Sequence, residues 1–319
     1  MPVHAAAAAL PDAARMSVYR GDAHTGELFH RFHSKQASMI HFTHAEIDHL
    51  ITEDMPLHDE TTRALDVPDV PGTLTYTARQ PGVLAGLKPC LLMAQSLGLQ
   101  AEPLAQDGAA LLAQQPVLRL HGRAHALHVA WRQGMSVLEY LGGIASTTAS
   151  MLRAARQVHP GIQLAATRKA FPGVRRWQQY AVLCGGGMVH RAGLSETILV
   201  FAQHQAFLPG LTVADIVRRA KAHSPEKFVM VEADDEAGAL AAVHAGADGV
   251  QLDKMNPVQL GDLVPRLRQA RSGRLVINAA GGIRVDNAAA YAATGVDILV
   301  TSHLYTAPAA DYAAHMLAV

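Results

Sequence analysis

Net charge is missing from this chain: 27 Lys and Arg balance 27 Asp and Glu over 319 residues. A nucleic-acid partner requires a basic face, so this balance argues against one. Cysteine is scarce, with only Cys90 and Cys184. No disulfide framework can hold the fold, and a reducing cytoplasm is the expected location. Neither cysteine has Cys-x-x-Cys spacing, and both read as buried apolar residues. Long hydrophobic runs are absent as well. No stretch approaches the roughly 18 apolar residues of a membrane helix. Ala5 to Leu10 is stopped by Pro11 with no basic segment before it, so no signal peptide is read there. What is present is 50% hydrophobic and 17% charged residues, enough to build a large core and to exclude disorder for most of the chain. At roughly 150 residues per domain, the length suggests about two units.

Residues 1–38 carry an alanine run, scattered His and Arg, and no sustained period; they read as a poorly ordered extension. A domain of α+β type is expected over 39–147. Thr43 and Glu46 have capping-box spacing ahead of an apolar stripe of Ile47, Leu50 and Ile51. Polar and apolar residues alternate from Gly72, and Leu87 to Leu97 reads as a helix ended by Gly98. Val117–His121 and Ala124–Val129 are strand-like, and Ser136 to Met151 is a long apolar helix. The pattern predicts an antiparallel sheet with helices on one face.

The rhythm over 148–319 is different. Apolar runs recur at Ile162–Ala166, Ile198–Phe201, Phe228–Glu232, Gly249–Leu252, Leu275–Ala279 and Asp297–Val300, with helical segments such as Ala237–Ala245 and Val285–Ala293 between them. From Val231 to Val250, Val276 and Leu299 the steps are 19, 26 and 23 residues, the spacing of βα units with parallel strands. The expected fold is α/β: a partially open β/α barrel with a smaller N-terminal α+β domain, the last residues packing back on that domain.

In such a barrel, functional side chains lie at the C-terminal strand ends. In chain order these ends carry Thr167-Arg168-Lys169; Gln203 and His204; Glu232 with Asp234 and Asp235; Asp253 and Lys254; Asn278 and then Ala280-Gly281-Gly282; and Thr301, Ser302 and His303. That mouth suits an anionic ligand with hydroxyls and phosphate. Ala280, Gly281 and Gly282, with Ser302 at the next strand end, form a candidate phosphate cradle ahead of a helix starting near Val285. Glu232 and Asp253 lie one βα unit apart. They can hold Mg²⁺ or receive sugar hydroxyls, or each can simply cap the helix that follows; spacing leaves both open. Cys184-Gly-Gly-Gly-Met-Val-His-Arg191 offers a bend followed by two donors, suited to an anion. His121, His125 and His128, on alternating strand positions, would not converge on a metal. His41, His44 and His49 read as solvent-facing.

Ala166-Thr-Arg-Lys-Ala-Phe-Pro-Gly-Val-Arg175 and Tyr180-Ala-Val-Leu-Cys-Gly-Gly-Gly-Met-Val-His-Arg-Ala-Gly-Leu-Ser195 resemble quinolinate phosphoribosyltransferase, the carboxylating nicotinate-nucleotide pyrophosphorylase. Further matches are Glu53-Asp54 to Thr62, Gly82–Gly86, Gly142–Ser146 and Gly281–Ile283, so the resemblance runs from about Met39 to the C-terminus. It implies a glycosyltransferase using phosphoribosyl pyrophosphate and a small heterocyclic acid. It implies a homodimer at least, in which Arg132 enters the neighbour's site. By the same resemblance Thr167, Arg168, His190 and Arg191 bind the acid, and Lys169 serves the phosphoribosyl pyrophosphate. Glu232 and Asp253 hold ribose hydroxyls and Mg²⁺, directly or through water, and Gly281 and Gly282 hold the 5′-phosphate.

Two positions depart from that pattern. The quinolinate enzyme has Lys-Asp-Asn-His after its second strand, the lysine facing a substrate carboxylate; here Phe201-Ala-Gln-His204 stands there. Trp131 replaces the Glu that usually precedes the arginine at 132. Phe-Ala-Gln-His after Leu-Ser-Glu-Thr-Ile-Leu-Val is the pattern of a sister group, the ModD pyrophosphorylase-like proteins associated with molybdate transport genes, which this sequence resembles most. The expectation is therefore phosphoribosyl transfer to an acceptor other than, or less acidic than, quinolinate. The nearest alternative is quinolinate itself, in NAD biosynthesis. Alternatives of other classes are a catalytically weak ligand sensor in molybdenum metabolism and a Schiff-base barrel using Lys169 or Lys254. The sensor need not keep Arg168, Lys169, Glu232 and Asp253 together, and the Schiff-base reading gives His190-Arg191 no role.

Overall fold

The computed structural model describes residue 37 and residues 39–319. The expectation of a poorly ordered N-terminal extension therefore falls outside the described residues, except at Ala37, which is buried and whose carbonyl accepts from the Ile40 amide. Helix α1 (His44–Asp54) starts on a capping box: Thr43 accepts from the Glu46 amide while the Glu46 carboxylate takes the Thr43 amide. Its stripe buries Ile47 and Ile51. Just ahead of it, Phe42 is buried against Trp177 and Tyr180, with ring centres 4.8 and 5.1 Å away. The start of the N-terminal domain is thereby locked onto the barrel.

After the short α2 (Glu60–Ala64) come β1 (Pro71–Ala78), β2 (Gly82–Val83), α3 (Leu87–Ser96), β3 (Gln100–Pro103), β4 (Ala110–Leu111) and β5 (Gln115–Arg123). β1 alternates buried and half-buried residues as its sequence does, because one face lies on helices and the other nears solvent. The final strand of the chain, β13 (Tyr312–Ala318), pairs antiparallel with β1, giving the order β13-β1-β5-β3.

The segment Ala124–Val129 is not a strand. It opens α4 (Ala124–Val158), which also extends the expected Ser136–Met151 helix at both ends. Leu127, Ala130, Gly134, Val137, Leu138 and Leu141 are buried at spacings of three and four, a helical stripe that the flanking histidines obscure. Its start is satisfied from a distance. Asp69 accepts the His125 amide and Val70 accepts the Ala124 amide. The helix crosses from the N-terminal sheet to the barrel without a break.

The barrel sheet has seven parallel strands rather than six: β6 (Gln163–Ala166), β7 (Met188–Val189), β8 (Ile198–Val200), β9 (Val229–Ala233), β10 (Gly249–Asp253), β11 (Val276–Ala280) and β12 (Ile298–Thr301). The seventh, β7, is two residues long behind three glycines and leaves no periodic trace in the sequence. The order is β7-β6-β12-β11-β10-β9-β8, with β7 and β8 as unpaired edges among the described residues, so the barrel is open between them. Helices α5 (Arg175–Cys184), α6 (Ala202–Gln205), α7 (Val213–His223), α8 (Glu236–His244), α9 (Pro257–Gln269) and α10 (Ala288–Ala292) connect the strands. One large apolar cluster runs through both domains. A small separate cluster of Ala165, Ala280 and Val300, with Met188 and Ile298 against it, lines the inner face of the curl. At the N-terminal strand ends the carboxylates are structural. Asp248 accepts the Val229 amide and a bond from Lys221, and Asp297 accepts the Ile277 amide and a bond from Arg268.

Candidate active site

The opposite, C-terminal ends of the strands form the mouth. In the β9–β10–β11 ladders, Gln251 stands opposite both Glu232 and Asn278, and Asp253 stands opposite Ala280. Side chains two apart share a face. Asp253 and Gln251 therefore project inward together, as do Ala280 and Asn278. The inner wall at the mouth is made of small residues, Ala165 and Ala280. On the same inward face lies a polar row of Glu232, Gln251 and Asn278.

The helix-capping reading of the two carboxylates fails. Asp235 accepts the Gly238 amide at the start of α8, and Asn256 accepts the Gln259 amide at the start of α9. Glu232 instead accepts a 2.7 Å bond from Gln251 Nε2. Burial pushes the Glu232 carboxyl above its ordinary value. The Gln251 bond lowers it, neighbouring Asp253 raises it, and Lys169 and Lys254 lower it. Those charges show that Lys169, Glu232, Asp253 and Lys254 form one electrostatic cluster. Lys254 lies 3.4 Å from Asp253 Oδ2 in an unusual left-handed backbone conformation, φ 59°.

A histidine and an arginine flank the gap in the barrel. His190 and Arg191 follow β7, and Phe201 follows β8 on the other side. Arg191 is buried and its guanidinium carbon sits 5.9 Å from the centre of the Phe201 ring, which stacks on His204 at 5.7 Å. His204 Nδ1 accepts the Phe201 amide, holding that turn. Burial lowers the Arg191 pKa, and the nearby Arg168 cation lowers it further. Glu196 offsets part of this, and the two guanidiniums suit an anionic ligand. Thr167 Oγ1 accepts the Lys169 amide, and the Tyr305 hydroxyl donates to the Thr167 carbonyl, fixing the loop that presents Arg168 and Lys169.

His190 has its pKa lowered to about 4, by burial first and then by Arg191. An unfolded imidazole takes a proton below its ordinary value, whereas the folded one stays neutral down to about 4. The unfolded state thus binds more protons in that window, so stability falls as pH drops through it, by on the order of 3 kcal/mol in total. Denaturation midpoints measured from pH 7 to 4 are expected to show this slope. His190→Gln should flatten it, and an unchanged slope in that variant would refute the assignment.

The three glycines before His190 serve packing more than anion contact. A Cβ at Gly185 would lie 2.4 Å from the Ala145 carbonyl oxygen and 2.6 Å from Thr148 Cβ, both on α4. Gly185→Ala must therefore push β7, and His190-Arg191 with it, away from the barrel. We expect a loss of about 1–3 kcal/mol by chemical denaturation together with weakened acid binding. Retained stability would show that α4 yields.

The expected helix near Val285 begins only at Ala288 and is five residues long, so no helix dipole reaches the candidate phosphate cradle. The chain between is a turn, in which Asn287 accepts the Arg284 amide and donates to the Gly282 carbonyl. Gly281 and Gly282 both have left-handed φ, 88° and 72°. A Cβ at Gly281 would lie 2.7 Å from the Lys254 amide nitrogen and 3.0 Å from Asp253 Oδ1, so the loop folds directly against the carboxylate corner. Thr301 Oγ1 donates to the Ile283 carbonyl, tying Ser302 and the β12 end to the same loop.

Arg132 is not at this mouth in its own chain. It is exposed on α4, its guanidinium carbon 5.6 Å from the centre of the Trp131 ring, and its charge acts on Glu139. His121 lies on β5, while His125 and His128 lie on α4, where His125 Nε2 bonds the Val67 carbonyl and His128 Nδ1 the Ala124 carbonyl. Arg176 binds the His41 carbonyl and Glu46, a structural tie. Cys90 and Cys184 are both buried free thiols. Gln251 escaped the sequence reading. Its signal was a lone amide inside an apolar strand, two residues before Asp253.

The site and the curled parallel sheet can be set beside known proteins. Residues 144–313 match the C-terminal domain of quinolinate phosphoribosyl transferase, and residues 59–141 match its N-terminal domain. The chain belongs to the quinolinate phosphoribosyltransferase family. It is therefore an enzyme of the pentosyltransferase type. Over 274 residues it is 36% identical to a protein of Escherichia coli named "Putative pyrophosphorylase ModD", covering 86% of this chain and 96% of that one. It is 32% identical over 259 residues to the carboxylating nicotinate-nucleotide pyrophosphorylase of Mycobacterium leprae, with 78% and 89% covered. NadC from Streptococcus pyogenes, a crystal structure, superposes with a TM-score of 0.78 at 27% identity, covering 86% of this chain and 95% of that one. Among the described residues no helix is long and apolar enough to cross a membrane.

Proposed function

We propose that this family member transfers the phosphoribosyl group of phosphoribosyl pyrophosphate to a ring nitrogen of a heterocyclic acid carrying one carboxylate, as a cytoplasmic homodimer with shared sites. The observation that carries this reading is the division of the mouth. One half holds Lys169, Glu232, Asp253 and the Gly281-Gly282 loop in contact or electrostatic reach of one another. The other holds Arg168, His190 and Arg191 around Phe201. The first half suits a charged sugar phosphate, the second a flat acid with one apolar edge.

In the reaction, the bond from C1′ to the diphosphate breaks with its electron pair leaving on oxygen. The lone pair of the acceptor nitrogen forms the new C1′–N bond through an oxocarbenium-like state. Lys169 neutralises charge on the leaving diphosphate, and Glu232 and Asp253 orient the ribose hydroxyls. Gln251 holds Glu232 in place for that task. The backbone amides of Ala280, Gly281 and Gly282, with Ser302, receive the 5′-phosphate. Arg168 and Arg191 fix the acid group, and neutral His190 lies beside them. Thr167 anchors the loop that bears Arg168 and Lys169. Positioning and preorganised charge account for most of the acceleration.

Glu232 and Asp253 fit Mg²⁺. They offer an all-oxygen corner of two carboxylates, and this small hard cation commonly takes one or two carboxylates with substrate phosphates and water. Bound there, Mg²⁺ supplies charge neutralisation for the diphosphate. Mn²⁺ titration followed by electron paramagnetic resonance should show binding that Asp253→Asn weakens.

Quinolinate is the second acceptor reading, favoured by the description of the matching family, quinolinate phosphoribosyl transferase. Phe201 weighs against it, since an aromatic ring would face the second carboxylate. Pyrophosphate release with a panel of pyridine and azole acids tests the proposal. Release with a monocarboxylate faster than with quinolinate supports it; release with quinolinate alone, or with no acid, refutes it.

A further inference from the structure

Four buried polar atoms around the mouth have no hydrogen-bond partner among the described residues: Nε of Arg168, Nε of Arg191, Oε1 of Gln251 and Oδ1 of Asn278. The two arginine nitrogens belong to the anion site already described. The two amide oxygens do not, and they are the more deeply placed, since Gln251 is 5% exposed and Asn278 1%.

Their orientation follows from their other bonds. Gln251 Nε2 donates to Glu232 Oε2 at 2.7 Å, and an ionised carboxylate only accepts. Asn278 Nδ2 lies 3.2 Å from His190 Nε2 and 3.3 Å from Met230 Sδ, both able to accept from it. His190 is neutral at ordinary pH, because its pKa is lowered to about 4, so its Nε2 can carry a lone pair with the proton on Nδ1. Both amides therefore keep a carbonyl oxygen, and only an acceptor, for the interior. A buried carbonyl oxygen without a donor is unfavourable, so something in the working enzyme must supply one.

Their location limits what that is. Gln251 and Asn278 are register partners on β10 and β11. Glu232 bonds one end of this pair and His190 touches the other. In the proposed reaction Glu232 marks the ribose and His190 the acid group. An acceptor ring spanning the two would lie across the Gln251–Asn278 pair, whose carbonyl oxygens are closed to solvent in the unliganded chain and would have to turn toward it on binding. A ring edge of C–H groups alone would leave both oxygens unpaired and displace any water that served them.

We infer that the acceptor carries an N–H donor, on the ring or as an exocyclic amino group, on the edge that faces Gln251 and Asn278. This rests on the phosphoribosyl reading for the placement of the ring, and it narrows the substrate class. Phe201 meets an apolar edge, the arginines meet the carboxylate, and the amide pair meets an N–H.

The test is calorimetric titration of the full chain with matched acids that differ in the donor, with and without phosphoribosyl pyrophosphate. The pairs are imidazole-4-carboxylate against its N-methyl derivative, and 2-aminonicotinate against nicotinate; the two pairs separate a ring donor from an exocyclic one. The donor-bearing member of at least one pair is expected to bind about 10- to 100-fold tighter. Asn278→Leu should bring that ratio close to one. The ratio within each variant is the readout, so a uniform loss of affinity cancels, and Gln251→Met provides a second test should Asn278→Leu fail to fold. Equal binding of both members by the wild-type protein, or a preference that survives Asn278→Leu or Gln251→Met, overturns the inference. So does absence of binding by all four acids. If the donor preference holds but no acid releases pyrophosphate, the phosphoribosyl reading falls while the recognition of an N–H acid stands.

Discussion

Phe201→Lys is expected to raise kcat/KM for quinolinate by roughly 30- to several-thousand-fold, since pairing a buried charge that is otherwise left alone is worth on the order of 2–5 kcal/mol and each 1.4 kcal/mol is tenfold. The geometry explains why the effect should be selective. Phe201 lies across the barrel gap from Arg191, with the Arg191 guanidinium carbon 5.9 Å from its ring centre. A lysine there adds a third cation to Arg168 and Arg191. Without a dicarboxylate these cations repel one another, so the free variant should melt below the wild-type protein. Quinolinate should restore that loss by binding between them. Affinity for phosphoribosyl pyrophosphate should change little, because none of Lys169, Glu232, Asp253 and the Gly281-Gly282 loop lies on β8 or in the turn after it. Steady-state kinetics on both substrates and thermal shifts with quinolinate read the two effects. A wild-type protein that already uses quinolinate as efficiently as the variant would overturn this reading of Phe201 and favour the NAD-synthesis alternative.

The second large effect concerns assembly. Arg132 is exposed on α4, and its neighbours are Trp131 and Glu139 rather than any residue of the mouth. If it serves a site, that site belongs to another copy. Arg132→Ala and Asp253→Ala should each be nearly inactive alone. When subunits of the two exchange in equal amounts, half of the dimers are hybrids, each with one intact site. About a quarter of wild-type activity is then expected. No recovery after demonstrated exchange would show that the site is not shared. Trp131, 41% accessible, and Tyr140, 68%, are also exposed on this helix.

Much of the barrel was legible in the sequence. Strands buried on both faces are short continuous apolar runs, and the step between them is set by the length of a helix that must return to the strand's start. That is why six parallel strands could be placed without coordinates. The same logic singled out Lys169, Glu232, Asp253 and Gly281, because polar residues at the ends of apolar runs stand out. It could not find β7, which is two residues long and held by packing of Gly185 against α4. It also misread the start of α4, since two histidines and a β-branched residue hid a helical stripe whose first amides are satisfied by Asp69 and Val70, from over 50 residues earlier in the chain.

The sequence by itself determined the fold class, the order of the units and the residue types available for chemistry, because periodicity and strand-end polarity are local properties. Only the tertiary structure decided how those residues work together. It showed that Asp235 and Asn256, rather than Glu232 and Asp253, cap the helices that follow. It placed Arg191 against Phe201 across the open seam, and put Gln251 beside Asn278 with two carbonyl oxygens unspent. The last two depend on strand register or on which edges of the sheet stay unpaired. Those are settled by how the whole chain packs, so no local stretch of sequence records them.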